Sequence, residues 1–329
     1  MTTRPPVWPR FVVGRASCHV GALIVLGLAA ACSDASSTKP DGDTTSAPLE
    51  IAYIRYGSDA TSPDLFRMSA DGRVSRRVAA LPGGETMPAW SPDGRTFAFV
   101  RMQEPPAACG ELWVMNTDGT GLRQLSANSF VGACGVSWSP DGAKLAIWGL
   151  DPSFAQGIGV IAVDGTSFRW LQGTGDADSH AATWSPDGRH IAFAAFDANA
   201  LRSSIRIVDA DGANPRQLTS GFFAAGPSWS PDGSQIAFSL QATANDSLRI
   251  AVIDTGGTAM RYVSPGRSDW MPSWSPDGRF IVYTHALASG RGYHIYKTSV
   301  DGGSAVDLTP NDSSAHSPMW RRVTSNASQ

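Results

Sequence analysis

Lysine is nearly absent from this chain of 329 residues. Only Lys39, Lys144 and Lys297 occur, whereas there are 34 glycines and 22 prolines. Lysine favours helices, while glycine and proline interrupt them and mark tight turns. The composition therefore predicts an all-β protein with many short strands joined by turns.

Basic charge and long apolar runs are scarce as well. The formal net charge is -3, and leaving out the three arginines of the first 31 residues lowers it to -6. This balance speaks against nucleic-acid binding through a basic surface. No apolar run suits a multi-pass membrane protein, so we expect a soluble body with a large core. The Gly-x-Ser-x-Gly elbow and a Gly-rich phosphate loop are also missing, and no catalytic residue is predicted.

One pentapeptide, Trp-Ser-Pro-Asp-Gly, recurs five times along the chain. Its copies begin at Trp90, Trp138, Trp184, Trp229 and Trp274, and Trp320 follows without a turn. Successive tryptophans are 48, 46, 45, 45 and 46 residues apart. So regular a period indicates one supersecondary unit repeated six times.

Each unit reads as four antiparallel strands. In the unit at Trp184, strand-like segments cover residues 181–184, 190–194, 205–208 and 216–219. Within the first turn, proline sets one backbone angle, aspartate accepts amide hydrogen bonds and glycine takes a positive φ. Four such strands with two tight turns on one side form one propeller blade.

Both ends of the repeat region are incomplete, and they complement each other. Residues 51–54, 64–68 and 76–78 match second, third and fourth strands that lack a first strand. Residues 316–320 match a first strand with nothing after it. Joining the two ends gives each blade a neighbour on both sides. We therefore predict a six-bladed β-propeller over residues 50–322, closed by the C-terminal strand, with a disordered tail at 323–329.

These residues carry a resemblance to a known family. Trp-Ser-Pro-Asp-Gly, Ile-Ala-Phe at 191–193, the Asp-Gly turn and Leu-Thr at 218–219 resemble the TolB-type β-propeller repeat, which is distantly similar to WD-repeat propellers. The family includes TolB, a periplasmic partner of envelope lipoproteins, and the non-catalytic propellers of prolyl-oligopeptidase-type and tricorn-type proteases. The resemblance implies the fold more than the function, because the repeated residues belong to turns and core.

The first residues read as an export signal. Arg4, Arg10 and Arg15 precede an apolar run at 20–31. That run is shorter than the roughly 20 apolar residues of a membrane span. Residues 1–31 are therefore predicted to be a signal peptide.

The end of that signal resembles a bacterial lipobox. Leu-Ala-Ala-Ala stands before Cys32, and the resemblance implies that this cysteine is acylated. Residues 32–49 are rich in Ser, Thr, Asp, Gly and Pro and are predicted to be a flexible tether. In bacterial lipoproteins, Asp directly after the acylated cysteine favours retention at the inner membrane. Ser33 occupies this position here, so the resemblance implies that the protein lies on the periplasmic face of the outer membrane. Plain secretion and a retained membrane anchor remain alternatives.

Two cysteines remain for the predicted propeller. Cys109 and Cys134 both fall in loops that should open on the same face. Two thiols in an exported domain are expected to form a disulfide, with two unpaired buried thiols as the alternative.

The first strands of such a ring line its central channel, so counting back from each tryptophan maps candidate positions. From the first tryptophan to the sixth, the fourth residues before it are Thr86, Cys134, His180, Ala225, Trp270 and His316. The fifth residues before it are Glu85, Ala133, Ser179, Ala224, Asp269 and Ala315. The candidate ligand-binding residues at the channel mouth are Glu85, Thr86, His180, Asp269, Trp270 and His316. They lie on the face opposite the Trp-Ser-Pro-Asp-Gly turns.

Two functions remain open from the sequence. The first is a lipid-anchored envelope module that binds a protein or peptide, as a monomer without cofactor or metal. The alternative is a lyase or hydrolase acting on an envelope polymer in the channel around His180, His316, Glu85 and Asp269. Facing histidines across a wide channel rarely share one metal ion, and His285 and His294 read as packed or surface residues. A purely structural subunit cannot be separated from the first possibility.

Overall fold

The structure is a computed structural model that describes residues 49–56, 62–79, 81, 84–102, 109–125, 130–171, 178–197, 200–221, 223–266, 268–288 and 292–321. The predicted signal peptide, Cys32 and the predicted tail at 323–329 lie outside these residues. Among the described residues, no helix has the length and apolar character needed to cross a membrane.

Within the described ranges, twenty-four strands form six four-stranded antiparallel sheets, called blades I to VI here. From the inner to the outer strand, blade I is β24 (Ala315–Trp320), β1 (Leu49–Tyr56), β2 (Pro63–Ser69), β3 (Ser75–Ala79); blade II is β4 (Glu85–Trp90), β5 (Thr96–Arg101), β6 (Glu111–Asn116), β7 (Arg123–Gln124); blade III is β8 (Gly132–Trp138), β9 (Lys144–Leu150), β10 (Gln156–Ala162), β11 (Phe168–Trp170); blade IV is β12 (Asp178–Trp184), β13 (His190–Asp197), β14 (Arg202–Asp209), β15 (Arg216–Gln217); blade V is β16 (Phe223–Trp229), β17 (Gln235–Gln241), β18 (Arg249–Asp254), β19 (Met260–Tyr262); blade VI is β20 (Asp269–Trp274), β21 (Phe280–Ala286), β22 (Tyr293–Ser299), β23 (Val306–Asp307).

The ring closes at blade I as the sequence predicts. β24 pairs antiparallel with β1, with Ile51 opposite Trp320 and Arg55 opposite Ala315. The six inner strands contact one another in sequence around the ring, and β24 contacts both β20 and β4. The prediction of a six-bladed propeller closed by the C-terminal strand is therefore confirmed.

The repeated turn has the chemistry that its residues indicate. In blade IV, Ser185 Oγ donates to Asp187 Oδ1 at 2.5 Å and accepts from His190 N at 2.9 Å. Asp187 Oδ1 also accepts from Arg189 N at 3.0 Å, and Gly188 has a φ of 71°. All five copies share this network. The turn thus fixes the register of the first hairpin in each blade, at the end of the molecule called the turn face here; the opposite end is the loop face.

Basic side chains tie each blade to the next, a feature that the repeat pattern did not reveal. Each donates to a carbonyl in the turn after the third strand of the next blade. Arg67 contacts Thr117 O, Arg123 contacts Val163 O, Arg169 contacts Ala210 O and Asp211 O, Arg216 contacts Thr255 O, Arg261 contacts Val300 O, and Lys297 contacts Ala70 O. These ties cross all six interfaces between blades.

Candidate functional site

Glu85, predicted at the channel mouth, is fully buried between blades I and II. Its Oε1 accepts a hydrogen bond from Leu81 N at 2.6 Å, and its Oε2 accepts one from Leu65 N at 3.2 Å. Burial raises the pKa of Glu85 to about 7; Asp64 acts in the same direction, while the two amide hydrogen bonds oppose the shift. Both oxygens therefore serve the protein itself rather than the channel.

A comparison of the blades explains why an acid stands at this position. In blades IV, V and VI, the amide of the first buried apolar residue of the third strand donates to a hydroxyl 14 residues later in the chain, at 2.9 Å. These hydroxyls belong to Thr219, Ser264 and Thr309. In blade I the same position is Ala79, opposite Leu65 in the strand register. Glu85 supplies the acceptor that alanine lacks.

Asp269 in blade VI, like Glu85 in blade II, is the fifth residue before the repeated tryptophan, and it is fully buried as well. Its Oδ2 accepts from Ser264 Oγ at 2.5 Å, and its Oδ1 lies 2.6 Å from Nδ1 of His285. Ser264 Oγ in turn accepts from Ile250 N of blade V. Asp269 therefore links blades V and VI inside the protein. Both acids lie between neighbouring blades and not on the channel wall, where the sequence placed them.

A bulge in the inner strands causes this difference. The third residue before tryptophan has a positive φ at Met87 (49°), Ala181 (55°), Met271 (54°) and Ser317 (54°). In blade II the register shifts by one residue between Thr86 and Ala89. Side chains five residues apart normally point to opposite faces of a strand, but one extra residue brings them to the same face. The fifth residue before tryptophan thus faces the preceding blade beside the tryptophan.

Two of the predicted residues, Trp270 and His316, come together at the loop face, where blades VI and I meet. The ring centroid of Tyr293 lies 5.3 Å from that of Trp270 and 6.0 Å from that of His316. Tyr56 lies 5.5 Å from His316 on the other side. The four rings form a row called the seam cluster here. Tyr56 and Tyr293 are 38% and 37% exposed, so the cluster is accessible from outside.

His316 is the polar member of the seam cluster. Burial lowers its pKa to about 4, so the imidazole is neutral at pH 7. Nδ1 lies 2.9 Å from Ser317 Oγ, whereas Nε2 is buried without a hydrogen-bond partner among the described residues. A buried ring nitrogen without a hydrogen-bond partner is energetically costly.

The remaining predicted residues lie elsewhere in the ring. Thr86 is half-buried on β4. His180 belongs to β12 of blade IV, across the ring from blade I, but its side chain lies outside the described part of the structure. The role of both residues stays a prediction. Cys109 and Cys134 are paired as a disulfide that joins blades II and III, with Cα atoms 4.4 Å apart.

The described residues contain no group of three or more His, Cys, Asp or Glu side chains arranged to hold a metal ion. A groove of about 540 Å³ lies between blades II and III at the turn face. Residues of the repeated turns, including Asp93 and Asp141, line this groove. Both aspartates accept hydrogen bonds within their own turns, as elsewhere in the ring.

The repeat geometry agrees with a known family. The family described as TolB beta propeller domain matches residues 40–257. This chain belongs to the TolB beta-propeller family. The matched range ends within blade V, so Trp270, Tyr293 and His316 of the seam cluster lie beyond it.

Solved structures share the fold of this TolB beta-propeller. TolB from Acinetobacter baumannii has a TM-score of 0.72 and 21% identity, covering 83% of this chain and 67% of that chain. A TolB candidate from Agrobacterium tumefaciens has a TM-score of 0.65 and 21% identity, covering 79% and 89%. Oligogalacturonate lyase in complex with manganese has a TM-score of 0.55 and 13% identity, covering 74% and 70%. At these identities the likeness is one of fold.

A curated relative is similar over a short stretch. The uncharacterized peptidase YuxL of Bacillus subtilis (strain 168) is 42% identical over 62 residues, which are 19% of this chain. The match spans 9% of that protein's length. It therefore transfers no activity to this TolB beta-propeller.

Proposed function

We propose that this TolB beta-propeller is a binding module of the cell envelope that recognises a protein or peptide at its loop face. The seam cluster carries the proposal. Tyrosine and tryptophan offer large contact areas with a polar tip and are enriched where proteins bind one another. His316 adds an uncharged polar ring to the cluster, in contact with the exposed rings of Tyr56 and Tyr293.

Two further side chains on the loop face support protein docking. Phe154 and Leu201, in the loops of blades III and IV, are 65% and 64% exposed. Both have a positive φ, 65° and 52°. Bulky residues rarely adopt this backbone conformation, and such strain persists where the surrounding structure enforces it. Asp151 enforces it at Phe154, since its Oδ1 accepts from Ser153 N at 2.8 Å and from Ala155 N at 2.9 Å.

The internal bonding of Glu85 and Asp269 favours binding over the enzymatic alternative. A general base or metal ligand in the channel must be reachable from the channel, whereas both acids are fully buried and hydrogen-bonded within the protein. Within the proposal, Thr86, Trp270 and His316 contact the ligand, while Glu85 and Asp269 hold the inner strands that carry them.

Partner binding can be tested with a photo-crosslinking amino acid at Tyr293 and, as a control, at Met260. Met260 is 51% exposed and starts β19 beside the turn face. In the native host, we expect a discrete protein adduct from position 293 and none from position 260. Replacing Trp270 and Tyr293 by alanine should weaken binding of the identified partner at least tenfold, which corresponds to about 1.4 kcal/mol.

Equal adducts from both positions would contradict the loop face as the binding site. Release of products from envelope glycan or peptide by the purified chain, lost in His316→Ala, would instead favour the enzyme. The melting temperature of each variant must stay close to that of the wild type for either result to count.

The proposed anchor is tested at Cys32. Because acylation would hold the protein in the membrane, Cys32→Ser should move the protein to the soluble fraction and abolish incorporation of an alkyne fatty acid. Cys18→Ser is the matched control. Cys18 lies in the predicted signal peptide and leaves the protein when that peptide is cleaved, so labelling should be unchanged. Undiminished labelling of Cys32→Ser would exclude this anchor while leaving the loop face as a binding site.

A further inference from the structure

One blade carries a pair of histidines that the proposed function does not use. In blade VI, His285 on β21 lies directly opposite His294 on β22. Asp269 on β20 is opposite His285, and Asp307 on β23 pairs with Tyr296, two residues beyond His294. An Asp–His–His–Asp row thus crosses all four strands near the loop face.

Hydrogen bonds to the carboxylates orient both imidazoles. Nδ1 of His285 lies 2.6 Å from Asp269 Oδ1, and Nδ1 of His294 lies 2.6 Å from Asp307 Oδ2. Because a carboxylate accepts hydrogen bonds, each Nδ1 carries the proton and each Nε2 keeps its lone pair. The carboxylates stand on the two outer sides of the histidine pair, so the Nε2 atoms are directed away from them.

This arrangement matches that of metal-binding histidines. A metal-ligating imidazole usually donates its other ring N–H to a carboxylate, which fixes the tautomer and raises the basicity of the ligand. Residues directly opposite in an antiparallel pair have Cβ atoms about 4.5–5.5 Å apart. Two imidazoles on one sheet face can therefore share an ion at their Nε2 atoms. Imidazole nitrogens suit zinc, copper and nickel better than magnesium or calcium.

The two histidines are accessible to solvent, and neighbouring side chains hold their surroundings in place. The side chains of His285 and His294 are 23% and 12% exposed. Asp269 is held by Ser264 Oγ at 2.5 Å, and a side chain at position 266 in place of Gly266 would collide with its Oδ2. The Tyr296 ring packs at 4.9 Å from that of His285. The histidines are thus held on a rigid sheet with one side open.

We propose that His285 and His294 bind one divalent transition-metal ion, of the zinc, copper and nickel class, through their Nε2 atoms. Asp269 and Asp307 act as positioning residues, and water completes the coordination. The site holds two protein ligands rather than three or more, because both carboxylates face Nδ1. The ion would clamp β21 to β22 at the loop face.

Calorimetric titration of the purified full chain with zinc chloride tests the proposal. We expect one ion per chain, with affinity at least tenfold lower in His285→Ala and in His294→Ala. Asp307→Asn should lower affinity about tenfold or more, as losses of such hydrogen-bond partners do. His190→Ala is the matched control, since His190 is 40% exposed beside Asp187 and Asp209 but has no histidine opposite. Its affinity should be unchanged.

A second measurement needs no variant and covers the case of a variant that fails to fold. Diethyl pyrocarbonate labels accessible imidazole nitrogens, and mass spectrometry locates the label. Zinc should protect His285 and His294 together and leave His190 labelled. Absence of one-to-one binding by the wild type, equal losses in His285→Ala and His190→Ala, or protection of only one histidine of the pair would each overturn the proposal.

Discussion

A chain that ends at Asp312 is expected to lose the single cooperative thermal transition of the full chain. The deletion removes β24, which forms the inner strand of blade I and contacts β20 and β4. Trp320 is 4% exposed and packs with Ile51 and Tyr53 of blade I and with Val282 and Ile295 of blade VI. Loss of one buried tryptophan side chain costs about 3–5 kcal/mol, against a total stability of about 5–15 kcal/mol. Circular dichroism during heating measures the transition.

The matched control ends at Arg321 and keeps all of β24. Its transition should lie close to that of the full chain. A synthetic peptide covering residues 313–321, added to the shorter chain, should restore part of the transition by pairing with the exposed edge of β1. An unchanged transition in the chain ending at Asp312 would mean that five blades and an open sheet suffice for stability.

The second large effect is expected at Glu85. Glu85→Ala leaves the amides of buried Leu65 and half-buried Leu81 without their acceptor and creates a cavity. Each unsatisfied amide costs about 1–3 kcal/mol, so the free energy of unfolding should fall by about 3–5 kcal/mol at pH 5. Urea denaturation measures this difference.

The effect of Glu85→Ala should depend on pH. Burial raises the pKa of Glu85 to about 7, from its usual 4.5, so the folded chain keeps a proton that the unfolded chain has lost. Stability from this group is fully present below about pH 4.5 and falls as pH rises through 7. One unit of pKa shift corresponds to about 1.4 kcal/mol, so the free energy of unfolding of the wild type should fall by about 3 kcal/mol as the pH rises from about 4.5 to about 7. The gap between wild type and variant should therefore narrow from pH 5 to pH 8, and an equal gap at both would contradict the raised pKa.

Ala79→Thr distinguishes the proposed acceptor role from general packing. Threonine at this position should supply the hydroxyl that Thr219 supplies in blade IV, and so recover about 1 kcal/mol in the Glu85→Ala background. In the wild type, Glu85 already serves Leu65 N, and the same substitution should give no gain. Equal effects in both backgrounds would mean that Glu85 and position 79 act independently.

The sequence was sufficient for the fold because its signals are local and repeated. Tryptophan spacing gave the number of blades, and Ser-Pro-Asp-Gly specified the first hairpin of each blade through side-chain and backbone hydrogen bonds. The two incomplete ends required closure between β24 and β1. A blade with an unpaired edge and an uncovered face is unstable, so the closing strand could be predicted without coordinates.

The candidate site was less predictable from the sequence. Counting back from tryptophan selected Trp270 and His316, which do meet in the seam cluster, but Tyr56 and Tyr293 come from other strands and have no repeat signature. Glu85 and Asp269 were placed on the channel because first strands line it, and the count back from tryptophan did not specify which way each side chain points. The prolines at Pro88, Pro272 and Pro318 were a visible signal of an irregular strand, since proline cannot donate to the strand ladder and is confined within sheets to edges and bulges.

By itself, the sequence determined which segments become strands, how many blades form and which ends join, because turn chemistry and hydrophobic period act within about 45 residues. Only the tertiary structure decided which way the side chains near each tryptophan point. One added residue at the bulge turns Glu85 and Asp269 from the channel toward the preceding blade, where buried acceptors were needed. The same distinction holds for His285 and His294: their pairing follows from the register of β21 and β22, and their orientation from carboxylates on β20 and β23.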